Sequence, residues 1–283
     1  MTRGRRIIGY WAWELPEIPQ VWQLGARFVH EAWAPSDFSA RAVEPLLPGR
    51  VRVVPHPLGV VPPAPSRLDR AAFGLPADAV IVLLSLNLAS SFARKNPLAG
   101  VAAFQRAFGR RTDRILVLKA IGGAHCGRDL ARIVETVEAA PNIRLETRVM
   151  PEADCHALTR ACDIVLSLHR SEGFGLVLAE AMLLGKAVVA TGWSGNLTFM
   201  DSDCSALVGY RLVASEDDRR VYAGGTWAEP DVAAAAAHLR RLADDAEARL
   251  ALGARACAAA TLRLGAEPLA QAIGLKYGAD RRR

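Results

Sequence analysis

Apolar segments of strand character alternate with segments of helical character from about residue 80 to residue 190. Residues 81–86 form a continuous apolar run with β-branched members, and residues 163–168 and 187–190 repeat the pattern, which predicts buried strands. Residues 97–108 begin with a proline and continue as a helix, and residues 174–184 predict a second helix. The remaining predicted elements are strands over 115–119 and 142–146, a helix over 128–139 and a helix from residue 151. This alternation predicts an α/β fold with a doubly wound, Rossmann-like parallel sheet.

The first part of the chain carries a shorter version of the same pattern. The predicted elements there are strands near 7–10, 28–33 and 51–54 and a helix over 36–47. Five prolines then fall between residues 55 and 65, which is typical of a stiff linker. At most three strands precede this linker, whereas a complete Rossmann-like domain has about six. The chain is therefore expected to divide into a partial α/β domain over 1–58, a complete domain over 59–270 and a basic tail over 271–283.

Composition narrows the class of protein. Hydrophobic residues make up 51% and charged residues 23% of the chain, as in a globular protein with a core. No apolar run reaches the roughly 18 residues of a membrane helix, and no signal-peptide pattern is present, so we expect a cytoplasmic protein. The net charge is +6, but the basic residues form no stripe with interleaved aromatic residues, which argues against nucleic-acid binding. A weak attraction to anionic membrane surfaces or phosphate ligands is compatible with this charge. The five cysteines contain no CxxC, which argues against a disulfide scaffold or a zinc site.

The segment with candidate chemistry is Ser171–Glu180, which directly follows a predicted buried strand. Gly173 and Gly175 stand at the strand-to-helix turn, where backbone N–H groups can approach a ligand closely. The helix start that follows is a favourable position for an anion such as a diphosphate. Glu180 is the one charged residue of the predicted helix. Its carboxylate either points to water or points into the crevice at the strand ends, where the hydroxyl groups of a ribose would satisfy it.

The pair of glutamates with its intervening residues, SEGFG…AEAM, resembles the signature of family 4 glycosyltransferases of the GT-B fold. Further segments agree in the order of that family. Residues 94–97 resemble its phosphate-binding basic loop, residues 190–196 its donor-sugar loop, residues 227–231 the segment before its late helices, and residues 10–14 and 33–36 the end of its acceptor domain. The resemblance covers about residues 7–270, and the ordered segments make it far more specific than two glutamates alone.

This resemblance implies a role for each matching residue. Glu172 and Lys95 would be catalytic, because Glu172 would hold sugar hydroxyls near the anomeric carbon and Lys95 would neutralise the diphosphate. Arg94 would assist Lys95, and Glu180 would bind the nucleotide ribose. The other implied donor-binding residues are Gly173, Phe174 and Gly175, through their backbone amides, and Ser194 and Asn196 of the sugar loop. Fixed positive charge stabilises the leaving diphosphate, so neither a metal nor another cofactor is expected.

Two details of the phosphate and metal chemistry need separate attention. Family members often carry an additional arginine shortly before the Arg-Lys pair, but residues 88–93 contain no basic side chain, so Ser90 and Ser91 become candidates to contact phosphate.

The segment Asp201–Asp203 resembles the DxD metal motif of the other glycosyltransferase fold. It follows the sugar loop and has the composition of a turn, so we expect it to be structural.

The resemblance implies a retaining transfer of a hexose from a nucleotide diphosphate sugar, GDP-mannose or a UDP-sugar, to an acceptor hydroxyl in polysaccharide or glycoconjugate synthesis. The expected partners are this donor and a glycan or lipid-linked acceptor. Because the acceptor domain is partial, an alternative is a non-catalytic nucleotide-sugar-binding module that needs a partner, and self-association through the uncovered N-terminal part is expected. Another explanation for the short N-terminal part is that upstream coding sequence was lost when this chain was defined. A sugar-nucleotide epimerase is a third function, which the glutamate pair disfavours.

Four aromatic residues have both a structural and a functional interpretation. His169 lies just past a predicted strand and either reaches the pocket or is a satisfied loop histidine. His56 stands between two prolines, and we expect it to be structural. Trp11 and Trp13 share one face of the first predicted strand, where they either line an acceptor cleft or pack in the core, and the pattern favours the core.

Overall fold

A computed structural model describes residues 4–218 and 220–275, without the side chain of His125. Its N-terminal part is a three-stranded parallel sheet in the order β1-β2-β3 with short helices beside it. The elements are β1 (Ile8–Tyr10), α1 (Trp22–Ala26), β2 (Glu31–Ala34), α2 (Asp37–Val43), a 3₁₀ turn (Glu44–Leu46) and β3 (Val51–Val53). The partial α/β pattern predicted for this region is therefore present, although its limits as a domain stay a prediction.

The main part of the chain contains eight strands and eight helices among its described residues. The strands are β4 (Val80–Asn87), β5 (Arg114–Ile121), β6 (Ile143–Glu146), β7 (Ile164–Ser167), β8 (Ala187–Thr191), β9 (Ala206–Val208), β10 (Tyr210–Ala214) and β11 (Thr226–Pro230). The helices are α3 (Phe92–Lys95), α4 (Pro97–Phe108), α5 (Gly127–Glu138), α6 (Glu152–Ala161), α7 (Leu176–Leu183), α8 (Val232–Asp244), α9 (Ala246–Arg263) and α10 (Ala266–Ile273).

Six of these strands form one parallel sheet in the spatial order β6-β5-β4-β7-β8-β9. Counted from β4, this is the order 3-2-1-4-5-6 of a doubly wound Rossmann sheet. The connections leave β4 in one direction and resume at β7 in the other, so the sheet has a topological switch point between these two neighbours. Ligands of such sheets bind outside the carboxyl ends of the strands at the switch point, which directs attention to the loops after β4 and β7.

Alternating side chains of β4 show how the sequence places the sheet between two helical layers. Val82, Leu84 and Leu86 belong to a core cluster with residues of α4, α5 and α8. Ile81 and Leu83 point the other way and belong to a cluster with residues of α6, α7 and α9. All five side chains are buried, and full burial of a side chain of this size stabilises the fold by about 1.5–3 kcal/mol. Both faces of the strand are apolar, which is why the sequence pattern is continuous and not alternating.

The structure corrects two details of the predicted elements. The second strand begins at Glu31 and not near residue 28, because the chain at Phe28 turns back toward Gly25 through a 3.0 Å backbone hydrogen bond. The antiparallel pair β10–β11 was not predicted. Most of the predicted basic tail, residues 276–283, lies outside the described residues. None of the helices in the described ranges has the length and apolar character needed to cross a membrane.

Aromatic packing joins the N-terminal part to the main part. Trp13 is 7% exposed and clusters with Leu15, Tyr222 and Trp227. Trp11 packs in a separate small cluster beneath the N-terminal sheet. The core interpretation is therefore confirmed for Trp13, whereas Trp11 is partly buried, and both residues follow β1 and do not share a face of it. The practical consequence is that the segment after β1 is held against the loop that precedes β11, close to the carboxyl ends of β4 and β7.

Candidate active site

A crevice of about 480 Å³ opens at the predicted position, outside the carboxyl ends of β4 and β7. Its floor is formed by the last residues of these strands, and one wall is the segment from Glu172 to Leu178 with Glu180 behind it. Lys95 and Arg94 also line the crevice, next to Glu172. Residues from three separate predicted motifs therefore meet in one cavity of the size that small-molecule ligands occupy.

The loop before α7 is held in place from two sides. The backbone N–H of Glu172 donates to Ser194 Oγ at 2.8 Å, and the N–H of Gly195 donates to the carbonyl of Glu172 at 2.8 Å. From the N-terminal part, the hydroxyl of Ser36 donates to the carbonyl of Gly173 at 2.6 Å. Gly195 is required here, because an added Cβ would lie 2.2 Å from the carbonyl oxygen of Gly173. These contacts fix the loop between the residues after β8 and the start of α2.

Gly175 and two polar residues adopt left-handed backbone conformations around the crevice. Gly175 has φ +97° at the start of α7, which a residue without a Cβ adopts at little cost. Ser91, with φ +107°, precedes the short helix α3, and Asn96, with φ +50°, follows it. Such conformations cost about 1–3 kcal/mol in non-glycine residues and concentrate at functional sites. Here they confine the helix to four residues and place Lys95 at its end, beside the strand-end crevice.

Glu172 is the most strongly perturbed carboxylate of the crevice. It is buried, with its Oε1 atom 2.5 Å from Lys95 Nζ and its Oε2 atom 3.3 Å from a guanidinium nitrogen of Arg94. Burial raises the pKa of Glu172, but the charges of Lys95 and then Arg94 outweigh this effect and hold the pKa at about 2. The carboxylate is therefore ionised across the physiological range and fixed between two cations.

Arg94 lies beneath the crevice and is saturated by protein partners. Its side chain is 2% exposed, and its three nitrogens donate to five acceptor atoms at 2.7–3.3 Å. The partners are the hydroxyl of Tyr222, the carbonyl of Ser171, Glu172 Oε2, and the carbonyl and hydroxyl of Ser90. A further carboxylate, Glu14, lies 3.4 Å away. The arginine thus links the N-terminal segment, the loop after β4 and the loop after β7, and its predicted help to Lys95 stays a prediction.

Glu180 lines the strand-end crevice and also a smaller cavity that it shares with His156 and Glu152, so its contact with a ribose stays a prediction. Its side chain is 28% exposed, and its Oε1 atom lies 3.9 Å from Nε2 of the buried His156 on α6. Burial raises the pKa of Glu180, the positive charge that His156 acquires on protonation lowers it, and the neighbouring Glu152 raises it again. This carboxylate can accept hydrogen bonds from a ligand that enters beside α7.

Two predicted sugar-loop residues and one histidine hold the loops from behind. The amide nitrogen of Asn196 donates to the carbonyl of Thr191 at 3.1 Å, and its oxygen lies 3.2 Å from His169 Nε2. His169 is fully buried and also contacts Ser167, so it is a satisfied loop histidine. Neither Asn196 nor Ser194 lines the strand-end crevice, and their contact with a donor sugar stays a prediction.

The segment Asp201–Asp203 serves as a turn. One carboxylate oxygen of Asp201 accepts from the N–H groups of Asp203 and Cys204, at 2.9 and 3.1 Å. The other oxygen forms an ion pair with Arg263 of α9. The hydrogen bond from Arg263 is the largest influence on the pKa of Asp201, which is lowered to about 2. These contacts agree with the structural interpretation of this segment.

The crevice also contains residues that the sequence reasoning missed. Lys119, at the carboxyl end of β5, is buried and lines the wall, and its signal was a lone lysine in an apolar strand. His56 lines the crevice with its ring centroid 4.9 Å from that of Phe174, although we expected it to be structural. Glu14 and Thr159 complete the new members. Their positions depend on contacts between distant segments, which spacing along one segment does not encode.

Comparison with known proteins identifies the family. Residues 87–245, more than half of the chain, match the family described as glycosyl transferases group 1. The chain belongs to this family. Two D-inositol 3-phosphate glycosyltransferases are each 30% identical to it. The protein from Xylanimonas cellulosilytica aligns over 79% of this chain and 50% of its own length, and the one from Kineococcus radiotolerans over 74% and 47%. The chain thus spans about half the length of these curated relatives.

Solved structures of other glycosyltransferases share the fold of this chain. The crystal structure of Anabaena HepE in complex with UDP and glucose matches with a TM-score of 0.71 and 18% identity, over 95% of this chain and 71% of that one. The structure of WaaG, a glycosyltransferase involved in lipopolysaccharide biosynthesis, matches with a TM-score of 0.60 and 17% identity, over 88% and 63%. These likenesses confirm the predicted α/β fold of GT-B type.

Proposed function

We propose that the chain carries the donor-binding site of a retaining family 4 glycosyltransferase, which transfers a hexose from a nucleotide diphosphate sugar to an acceptor hydroxyl. The observation that carries the proposal is the juxtaposition of Lys95, Glu172 and Glu180 around one crevice at the switch point of the sheet. Membership of the glycosyl transferases group 1 family supports the reaction class.

The charges of the crevice fit the parts of such a donor. Lys95 would move from Glu172 toward the diphosphate, where its ammonium group offsets the charge that develops on the leaving group. The backbone amides from Gly173 to Gly175, at the start of α7, would add donors for phosphate or sugar oxygens. Glu180 would accept from the ribose hydroxyls. Arg94 is the positioning residue of this arrangement, because its own donors are occupied by protein.

In the proposed reaction the acceptor hydroxyl attacks the anomeric carbon from the face that the diphosphate leaves. The bond to the anomeric carbon passes from the phosphate oxygen to the acceptor oxygen, and the leaving phosphate takes the acceptor proton. Glu172 would hold sugar hydroxyls and is not assigned as a covalent nucleophile, because Arg94 still holds one of its oxygens after Lys95 has moved. We propose that no divalent metal is needed, since Lys95 and the loop amides supply the positive field.

The candidate donors differ in their base, and a similar protein of known structure bears on the choice. UDP, UDP-glucose and glucose occupy HepE in its crystal structures, which supports a UDP-sugar, and GDP-mannose is the alternative. A thermal-shift screen with UDP-sugars and GDP-mannose tests the proposal, because a ligand of the folded state present at about 100 times its Kd adds about 2.7 kcal/mol of stability. We expect one nucleotide class to raise the melting temperature. An unchanged melting temperature with all of them would contradict the proposed function.

A second candidate is a binding module that needs a partner for transfer. A specific observation favours it: the apolar side chains of Val21, Leu24 and Phe28, in and beside α1, are 67%, 59% and 74% exposed. Exposed apolar groups of this kind mark contacts with another chain or segment. Sugar transfer by the purified chain, with its mass from light scattering, decides between the two. A monomer with robust transferase activity would contradict the module, and donor binding without transfer would favour it.

A further inference from the structure

A second cavity, of about 580 Å³, lies between α2 and the loop after β8. We call it the side pocket. The lining side chains that matter here are Asp37, Phe38, Arg41, Trp193, Ser194 and Tyr210. It is separate from the strand-end crevice. Trp193 and Ser194 come from the predicted donor-sugar loop, but Asp37, Phe38, Arg41 and Tyr210 have no part in the proposed donor contacts.

The walls of the side pocket are aromatic. The ring of Trp193 contacts Phe38 edge to face at a centroid distance of 5.5 Å and lies 5.2 Å from the ring of Tyr210. Tyr210 is 41% exposed although it carries a large ring, so part of this aromatic wall is accessible. Apolar ring faces of this kind pack against the C–H groups of a sugar or cyclitol ring, because those groups form flat apolar patches on an otherwise polar molecule.

The rim of the side pocket supplies hydrogen-bonding groups. Asp37 and Arg41 are exposed and lie one helical turn apart on α2, and neither side chain has an ion pair or hydrogen bond within the described ranges. A carboxylate accepts and a guanidinium donates, so the two together match adjacent ring hydroxyls, each of which does both. Their charges cancel, which favours a neutral polyhydroxylated ring over a bare anion.

The side pocket flanks the loop that carries Glu172. Ser194 lines the side pocket, and its hydroxyl oxygen accepts the hydrogen bond from the backbone N–H of Glu172. On the other wall, Ser36 caps α2 and donates to the carbonyl of Gly173. A molecule anchored in the side pocket would therefore stand directly beside the proposed transfer site, separated from it by this single loop.

We propose that the side pocket anchors a polyhydroxylated six-membered ring of the acceptor, either a pyranoside or a cyclitol. That the ring belongs to an acceptor rests on the proposed function, whereas the binding of such a ring is inferred from the lining of the side pocket alone. The anchored ring is not the reacting hydroxyl; it holds the acceptor so that another part of the molecule reaches the donor sugar.

The test is a titration of the full chain, followed by NMR, with methyl α-D-glucopyranoside, methyl α-D-mannopyranoside and myo-inositol, three neutral compounds whose responses distinguish the two ring classes. The variants are Asp37→Asn, Arg41→Gln and Tyr210→Leu, all at exposed positions so that folding is preserved. Arg50→Gln, an exposed arginine outside the pocket, is the matched control. UDP and GDP are titrated into each variant in parallel by calorimetry.

We expect at least one ring compound to bind and each pocket variant to weaken it about tenfold, or about 1.4 kcal/mol, with the control and the nucleotide affinities unchanged. No binding of any ring compound at millimolar concentration would overturn the inference, and so would wild-type affinity in all three variants. In either case, nucleotide binding would leave the proposed function intact. If no nucleotide binds, the proposed function fails, and the assignment of the ring to an acceptor fails with it.

Discussion

The buried Arg94 offers a sharp prediction about how the site is held together. In Arg94→Met the side chain keeps a similar length but loses its charge and all its donors. Glu172 would keep Lys95 but lose its second cation, and Ser171 would lose the donor to its carbonyl. Glu14 would also lose the cation 3.4 Å away. We expect the free energy of unfolding to fall because these groups stay buried without their partner.

The size of the effect follows from the burial and the number of partners. Arg94 is 2% exposed on its side chain and makes five hydrogen bonds, so water cannot replace the lost contacts without opening the loops. Removal of one partner from a buried ion pair costs about 3–5 kcal/mol. In a chain of this size each kcal/mol lowers the melting temperature by about 2–4 °C, so the expected decrease is about 10 °C.

Urea unfolding followed by circular dichroism measures this difference, and Arg50→Met provides the same substitution at an exposed position. The control should change the free energy of unfolding by less than about 0.5 kcal/mol. The double variant Arg94→Met/Glu172→Gln should cost less than the sum of its single variants, because it also removes the carboxylate that lost its partner. A cost below about 1 kcal/mol for Arg94→Met would refute the reasoning, since it would mean that the network contributes no net stability.

Three further predictions concern pH and metal ions. The pKa of Glu172 is depressed to about 2, so the stability that this carboxylate contributes is complete above the ordinary glutamate pKa and is lost as the pH falls toward 2. In urea unfolding between about pH 6 and 3, the free energy of unfolding should therefore fall more steeply for the wild type than for Glu172→Gln. The pKa of Glu180 is raised by burial, so calorimetry should show nucleotide affinity falling on mild acidification, and falling less in Glu180→Gln; equal slopes would contradict a ribose contact. Excess chelator should leave nucleotide affinity unchanged, and a loss of affinity that manganese restores would disprove metal independence. Asp201→Asn should lower the melting temperature, because the ion pair with Arg263 is lost, without weakening nucleotide binding.

Much of the main sheet could be predicted because its strands are buried on both faces. The run over 81–86 is apolar without interruption, and a strand that faces two helical layers has no polar side to blur the pattern. Helix α4 was predicted with its observed limits, because Pro97 marks its start and a glycine follows Phe108. The N-terminal strands are only three or four residues long, so the start of β2 was misplaced. The antiparallel pair β10–β11 was missed because β10 is mostly exposed and shows no buried apolar run.

The residues of the candidate site also differ in how far the sequence could predict them. Glu172 and Glu180 were expected at the site because their motif resembles that of family 4 glycosyltransferases, and the crevice brings them together with Lys95. The burial of Arg94 was not predicted, because its partners Glu14 and Tyr222 are far apart in the sequence and meet it only through the packing of Trp13. His56 was missed as a crevice residue for a related reason: its position depends on how the linker lies across Phe174.

Calorimetric titration of UDP and GDP into Lys95→Ala tests the central claim most directly. The substitution removes the cation proposed for the diphosphate and leaves the Glu172 carboxylate beside it with Arg94 as its remaining cationic partner. Both effects oppose an anionic ligand, so affinity should fall more than tenfold, or about 1.4 kcal/mol, and Lys95→Ala/Glu172→Gln should recover part of the loss. Lys186→Ala, outside the crevice, should bind as the wild type does. Unchanged affinity in both Lys95→Ala and Glu180→Gln would contradict the assignment of this crevice as the nucleotide-sugar site.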